Sequence, residues 1–373
     1  MTLPRVYPDR SGVALPLALF TLVIAAVMIT AVFYVGRLEQ RMGTNAGAAV
    51  RAFEAAETGV GTIVANWDAQ QYNALSAGSS MTLPSVSLGA NAVYSGSVHR
   101  INTWHFLVQV EGRFLRAGTA ITRRQLGQIV RLDSPVFLPE AAVINRLGLT
   151  VTGSSTIDGD DHNPGGWSGC TGGSDEPAIV DSTGMVTTTG PCAGQSCLSG
   201  SSRVVTDIGI DSLEFLDFRT VSYSGLASAA TKIVSGSVSI GPSYSIGPTC
   251  QVSDNYNWGS PEDPSGACGG YFPIIHATGD LDITGGTGQG LLLVDGNLTL
   301  SGSARFYGVI VVQKSVSLTG GEINGSVFIR NADGTGSTIN GTRIRYSRCA
   351  VLKAAAGASL ANPLSERSWV QLY

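Results

Sequence analysis

The sequence predicts an α+β protein with a long N-terminal transmembrane helix, a small antiparallel β meander and a Gly-rich, parallel β-solenoid-like all-β domain. Three observations predict this order: an uncharged run that continues as a helical pattern, a stretch of two-residue alternation, and a short apolar unit that recurs in the second half. The 48 glycines and 13% charged residues exclude a helical bundle and a charge-driven disordered chain.

The uncharged run extends from Val13 to Val35. At about 1.5 Å per helical residue it is long enough to cross a hydrocarbon core of roughly 30 Å. It is too long for a cleaved secretory signal, and charges rather than a small-x-small site follow it. Arg5 and Arg10 precede the run and favour a cytoplasmic N-terminus, but Arg37 and Arg41 follow it and weaken that signal. The Gly-, Ser- and Thr-rich remainder and its cysteines are the better reason to expect an exported remainder.

Helical periodicity continues past the membrane segment. Apolar residues recur at steps of three and four, and charged residues fall between them. The apolar positions are Leu38, Met42, Ala46, Ala49, Phe53, Ala56, Val60, Ile63 and Trp67. One helix is therefore predicted over residues 13–75, from the membrane far into the exported part.

The N-terminal region carries a family resemblance. A basic leader ending in Gly12, an uncharged helix from Val13, and "RLEQRMGTNAGAAVRAFEAAETGV" with its Ala-Phe-x-Ala-Ala-Glu core resemble PilX-like minor pilins of type IV pili over residues 10–65. The resemblance implies that residues 1–12 are a leader, which a prepilin peptidase removes after Gly12. It also implies that the helix rests in the bacterial inner membrane before it joins other pilins, together with the pilus assembly machinery, in a periplasmic or extracellular filament.

Position 17 departs from the major-pilin pattern. Major pilins carry a glutamate at the fifth mature position, where this chain has Leu17. A lone carboxylate in a membrane is costly unless a neighbour pairs with it, so its absence favours a minor or tip component. The alternative is a plain signal anchor with a helical stalk.

A β meander is predicted over residues 92–135, after a Ser-, Gly- and Pro-containing connector at 78–92. Trp104, Phe106, Val108 and Val110 alternate with polar residues and share one predicted face. The segment 111–113, Glu-Gly-Arg, is interpreted as its turn. The meander is expected to pack on the exported half of the helix.

Residues 139–373 contain internal repeats. "LTVTGSSTIDG" at 149–159 aligns without a gap with "LTLSGSARFYG" at 298–308, and "LDITGG" and "VSLTGG" repeat the same opening. An apolar, polar, apolar, polar, Gly unit is typical of a parallel β-solenoid, in which alternate residues fill a narrow core. At least three rungs are predicted between Leu281 and Arg345, and a β-sandwich is the alternative.

A Cys-containing insertion is expected at about residues 160–270. Six cysteines in an exported, loop-rich chain favour disulfides, and the candidates are Cys170, Cys192, Cys197, Cys250, Cys268 and Cys349. Proximity favours Cys192 with Cys197 and Cys250 with Cys268, although 15 pairings are possible. A zinc site with His162 is disfavoured because Cys192-x4-Cys197 has no matching second pair.

Asp158, Asp160 and Asp161 form the densest carboxylate cluster. A solvated corner of the first coil is the favoured interpretation, because the Asp, Asn, Gly and Pro around it are turn formers. A calcium site and the paired acids of a polysaccharide-cleaving solenoid are the alternatives.

Motifs of nucleophilic, zinc-dependent or phosphate-binding enzymes are absent from the sequence, so no enzymatic activity and no cofactor are expected. The net charge of −4, without a basic run after the membrane segment, gives no reason to expect nucleic-acid binding. Two functions stay open. One is a structural minor pilin that displays an exported β domain for assembly or adhesion. The other is a membrane-tethered carbohydrate-binding or carbohydrate-active solenoid, for which a carboxylate pair in an aromatic-lined groove would be the distinguishing feature.

Overall fold

The computed structural model describes residues 14–73, 75–89, 91–138, 140–247, 249–364 and 369–371. The helix α1 spans Ala14–Ala65 without interruption. It ends earlier than predicted, since the chain turns at residues 66–68 and continues in the short α2, Ala69–Tyr72. The Asp68 side chain caps α2 by accepting a hydrogen bond from the Gln71 amide, 3.0 Å away. Two further helices are α3, Tyr223–Ser228, and α4, Arg348–Gly357.

The strands form two sheets in the described part of the chain, one of six strands and one of fifteen. In chain order they are β1 Ser80–Ser87, β2 Ala92–Arg100, β3 His105–Arg116, β4 Thr119–Asp133, β5 Val143–Asn145, β6 Leu149–Thr152, β7 Thr156–Asp158, β8 Ile179–Asp181, β9 Val186–Thr188, β10 Leu198–Ser199, β11 Val204–Thr206, β12 Lys232–Ile240, β13 Ile274–Val294, β14 Leu298–Leu300, β15 Arg305–Val312, β16 Val316–Leu318, β17 Glu322–Ile329, β18 Ser337–Asn340, β19 Arg343–Arg345, β20 Leu360–Pro363 and β21 Trp369–Gln371.

The smaller sheet, called the head sheet, is antiparallel and contains β1, β2, β3 and β4 in that order. The C-terminal strands β20 and β21 both pair with β4, so the head sheet includes the end of the chain as well as the meander. The connector predicted at 78–92 supplies β1, which pairs with β2. One face of the sheet packs against the second half of α1, where Phe106, Val108 and Val110 are fully buried.

Two details of the predicted meander are wrong. Residues 111–113 lie inside β3 rather than in a turn, and the β3–β4 turn instead uses Ala117 and Gly118, both with positive φ. Gly112 has a different role: a Cβ there would lie 2.1 Å from the Ala52 carbonyl oxygen, so the missing side chain lets α1 approach the sheet. Trp104 precedes the strand and is 53% exposed.

The larger sheet is a curled, solenoid-like stack of parallel strands, as the repeats predict. One column contains β14, β16, β18, β6 and β9 stacked in register. The next column passes from β13 through β15 and β17 to β19, β7 and β10. The second half of β17 begins a third column with β5, β8 and β11. The whole chain is thus α+β, with a helix, an antiparallel sheet and a parallel coil.

The apolar positions of the repeated unit, which the solenoid pattern predicts to be core positions, point inward. Leu281, Ile283, Leu298, Leu300, Val316 and Leu318 are all at most 3% exposed. The two aligned segments, 149–159 and 298–308, occupy equivalent places, each with a strand in the first column and a strand in the second. Because all these ladders are parallel, the β-sandwich alternative does not apply.

The rungs do not stack in chain order. The chain enters the stack at β5 in the middle and runs outward to β11 at one end. It then crosses to β12 at the other end and runs back through β13, β15 and β17. There β18 and β19 lie on β6 and β7 and close the stack. The expected insertion at 160–270 therefore contributes rung strands to the stack, namely β8 to β12, with longer loops between them.

Candidate assembly surface

The first half of α1 projects from the rest of the chain. Every residue from Ala14 to Gly47 is exposed, and the most apolar stretch has a mean hydropathy of 2.5 with none of its surface buried. The hydroxyls of Thr21 and Thr30 donate to carbonyl oxygens one turn earlier, of Leu17 and Ala26, at 3.0 and 2.7 Å. These polar groups are thus satisfied within the helix, as a segment surrounded by lipid requires.

The second half of α1 is anchored on the head sheet by small residues. Ala48, Ala52, Ala55, Ala56 and Gly59 are buried, whereas the glutamates of the Ala-Phe-x-Ala-Ala-Glu stretch face solvent. At Gly59 a Cβ would lie 2.7 Å from the Tyr94 ring. The small side chains that carry the family resemblance therefore make the contact between helix and sheet.

The predicted processing positions, Gly12 and Val13, lie outside the described residues. The described helix begins directly after them at Ala14. Leu17, where major pilins have glutamate, is 63% exposed on the projecting half. An apolar side chain at this place suits contact with lipid or with another apolar helix.

An apolar cavity of about 410 Å³ lies between α1, β4 and the C-terminal strands. Phe53, Val60 and Val64 line it from the helix, and Pro363 and Trp369 from the end of the chain. The rings of Phe53 and Trp369 meet edge to face at 6.5 Å. Sequence reasoning missed this cavity, because nothing local indicates that β20 and β21 return to the head sheet.

The aspartate cluster is a corner held by hydrogen bonds. Asp158 ends β7, and its carboxylate accepts from the Ser199 hydroxyl at 2.7 Å and contacts His162 Nε2 at 2.6 Å. Burial acts to raise the pKa of Asp158, but these bonds and one from the Asp160 amide outweigh it and lower the pKa below its usual value. Burial and the charges of Asp158 and Asp175 raise the pKa of Asp160.

Asp161 fastens this corner to two other segments. Its two carboxylate oxygens accept from the Arg348 amide at 2.8 Å and the Gly173 amide at 2.5 Å. Two of the three calcium ligands considered from the sequence, Asp158 and Asp161, thus bind protein donors. Among the residues that the structure describes, no group of three or more His, Cys, Asp or Glu side chains is placed to hold a metal ion.

Three disulfides use all six cysteines. Cys192 pairs with Cys197 and Cys250 with Cys268, and Cys170 pairs with Cys349. The last bond joins the loop after β7 to α4 across 179 residues of sequence. Only the first two pairs are near neighbours in sequence, so proximity gave no direct indication of the third.

Aromatic residues cluster on the outer side of the coil. The Trp167 ring lies 5.9 Å from the Tyr307 ring and 5.5 Å from the Phe272 ring. The nearby carboxylates have cationic partners: Glu262 binds Arg305 at 2.6 Å, and Glu322 lies 3.6 Å from Arg345. An aromatic surface is present here, but these carboxylates are held by arginines.

No protein-family model and no curated protein matches the chain. Among solved structures it is similar to the crystal structure of the competence-associated pilin ComZ from Thermus thermophilus. The identity is 12%, over 87% of this chain and 98% of that chain, with a TM-score of 0.25. A likeness at this level carries no argument, so the functional inference depends on the geometry of α1 and the two sheets.

Proposed function

We propose that this chain is a structural subunit of a type IV pilus or related filament, a PilX-like minor pilin that displays the β coil outside the cell. The observation that carries the proposal is the division of α1 into two halves. One half is exposed and begins with an uncharged run that is long enough to span a bilayer, and the other packs against one face of an antiparallel sheet. The projecting half of such a helix can contact lipid before assembly and neighbouring pilin helices after it, while the head sheet stays folded.

The proposed life cycle follows from this division. The chain rests in the inner membrane with its N-terminus in the cytoplasm, a prepilin peptidase cleaves after Gly12, and the projecting half then packs among other pilins. Leu17 makes no ion pair with a neighbouring subunit, which suits a minor or tip position. We further propose that the chain is not an enzyme, since the carboxylates beside the coil's aromatic cluster are bound by arginines.

Intact-mass measurement tests the processing step. The chain is expressed with and without a prepilin peptidase, extracted from the membrane, and weighed. We expect Val13 as the new N-terminus only when the peptidase is present. Gly12→Trp should block the cleavage, and Gly43→Trp is the matched control because nothing lies within 4 Å of a Cβ at that exposed position.

Filament incorporation tests the role of the projecting half. Leu22→Asp would place a charge on the apolar run at a side chain that is 69% exposed. This variant should be absent from sheared filaments. Val50→Asp, on the same helix at 56% exposure but beyond the apolar run, should be tolerated better. Retention of Met1 in the membrane-bound chain, or equal filament content for both variants, would contradict the pilin assignment.

Carbohydrate binding by the coil is the second candidate, and the Trp167–Tyr307 surface favours it. Half-buried aromatic rings offer flat apolar area to a sugar ring. Fluorescence titration with a panel of polysaccharides should show a signal that Trp167→Ala removes. Trp104→Ala, which changes an exposed tryptophan on the head, is the control.

A further inference from the structure

The direction of β3 relative to α1 determines which end of the head lies nearest the membrane. The ring of Phe106, at the start of β3, packs 5.2 Å from the ring of Trp67, just after α1 ends. Gly112, further along β3, lies against the α1 backbone at Ala52. The strand therefore runs back along α1 toward its projecting half.

The β3–β4 turn continues in that direction. The Arg51 guanidinium lies 5.1 Å from the centre of the Phe114 ring, so these two residues are level. Three extended residues from Phe114 to the turn at Ala117 cover about 10 Å, which places the turn level with roughly residue 44 of α1. The turn thus lies roughly 12 Å beyond Gly36, which directly precedes Arg37, the first charged residue of α1. A headgroup layer is about 5–8 Å thick on each side of the hydrocarbon core, so the turn lies about 4–7 Å beyond that layer, within reach of a long arginine side chain.

This end of the head is basic. Residues 112–124 include four arginines and no carboxylate, and α1 contributes three more between residues 36 and 53 against a single glutamate. Arg113 is excluded because Glu111 lies 3.6 Å from it, and Arg124 is half-buried. Arg51 and Arg123 are also excluded, because Arg123 pairs with Arg113 beside Ala52 and both therefore lie about 22 Å beyond Gly36. The exposed members near the headgroup layer, called the arginine belt, are Arg37, Arg41 and Arg116. The sequence showed no basic run here, because folding joins two segments that are far apart in the chain.

The belt stands out against the charge of the whole chain. The net charge is −4, so the rest of the molecule is more acidic than that total and the positive charge concentrates beside the membrane segment. Ile121, 51% exposed, lies between the turn and Arg123. An apolar side chain among arginines is a common arrangement at a membrane interface.

We propose that the arginine belt binds the anionic phospholipid headgroups of the leaflet from which α1 emerges, and so holds the head against the bilayer before assembly. The proposal rests on the membrane insertion of α1 proposed above. A guanidinium binds phosphate through two parallel N–H donors. An arginine near an anionic membrane surface changes the ratio of bound to free heads about fivefold, so two arginines should change that ratio about 25-fold.

The test uses the full chain reconstituted in vesicles. Thr119→Cys introduces the one free thiol, in the exposed turn, for a fluorophore. A headgroup-linked quencher then reports how close the turn lies to lipid. The vesicles contain phosphatidylcholine alone or with about one third phosphatidylglycerol, at salt from about 0.05 M to about 0.5 M. We expect the ratio of membrane-apposed to free heads to rise with phosphatidylglycerol and to fall as salt increases.

Paired charge variants separate the belt from net charge. R41Q/R116Q should reduce the phosphatidylglycerol-dependent ratio of apposed to free heads by about 25-fold, whereas R203Q/R343Q, which removes two exposed arginines from the coil, should keep it. Equal quenching in both lipids overturns the proposal, and is also the result expected if the belt serves an acidic protein instead. Resistance of the same samples to carbonate extraction shows whether α1 is inserted in the bilayer, and so separates the belt proposal from the proposed function. Insertion without a lipid response overturns the belt proposal alone, and failure to insert overturns the proposed function as well.

Discussion

Gly112→Ala tests the contact that holds the projecting helix on the head. The added Cβ would lie 2.1 Å from the Ala52 carbonyl oxygen and 2.4 Å from the Ala56 amide nitrogen. Both atoms belong to the backbone, so no side-chain rotation can relieve the contact. Real Cβ atoms essentially never make non-bonded contacts shorter than 3.0 Å, so helix and strand would have to separate by about 0.9 Å, in an interior that is closely packed.

Overpacking of this kind costs about 1–3 kcal/mol. Hydrogen exchange in detergent micelles should therefore show faster exchange of β3 and of α1 residues 48–63 in the variant. Gly61→Ala is the matched control, since Gly61 lies in the part of α1 that packs on the sheet but has nothing within 4 Å of the new Cβ. It should stabilise the helix by up to about 1 kcal/mol. If Gly112→Ala exchanged no faster than Gly61→Ala, the close approach of α1 to the sheet would be refuted.

Three further predictions concern the coil. Ile339→Asp should disturb the rungs on both sides, β16 and β6, because a buried carboxylate must lose its charge or open the stack. The adjacent Thr338→Asp, at an exposed position, should lower the free energy of unfolding by at most about 0.5 kcal/mol. Limited proteolysis of the two variants measures the difference. Removal of the Cys170–Cys349 bond by serine substitution should destabilise the chain by about 2–5 kcal/mol in denaturant titration. Removal of the Cys192–Cys197 bond, which closes a short loop, should cost less, and an equal loss would contradict the loop-closure argument. Because the pKa of Asp158 is lower in the folded chain than in the unfolded chain, its contribution to stability is complete above the unfolded value of about 3.9 and disappears as pH falls through the folded value. Asp158→Asn should therefore flatten the acid limb of the stability curve, and an unchanged limb would show that the hydrogen bonds of this corner carry no net stabilisation.

The coil was predictable from sequence because its core is narrow. In a rung, Leu298 and Leu300 point inward while Thr299 lies between them at the surface, so two-residue periodicity and the repeat interval are both visible in the chain. The N-terminal apolar helix was predictable for a related reason. An uninterrupted apolar run of this length is a local property of the sequence.

Gly112 illustrates what local reasoning could not settle. A glycine between Glu111 and Arg113 has the composition of a turn, but its role depends on a helix that precedes it in the chain. The same limit applies to β20 and β21, whose partner β4 is distant in sequence. Pairings over such separations depend on the tertiary fold and leave no periodic signal.

The chain enters and leaves the coil at neighbouring points, and these two connections attach the coil to the head sheet. The chain leaves the head sheet at Asp133 and returns to pair Leu360 with that same residue. The hydroxyls of Ser134 and Ser359 lie 2.6 Å apart across the two connections, and Asn73, just after α2, donates to the Ala356 carbonyl oxygen at 3.1 Å. A domain on a single linker is free to reorient, whereas two adjacent connections with shared hydrogen bonds resist that motion. The orientation of the displayed coil is therefore set by the head sheet, and hence by the helix that we propose to anchor it in the membrane and then in the filament.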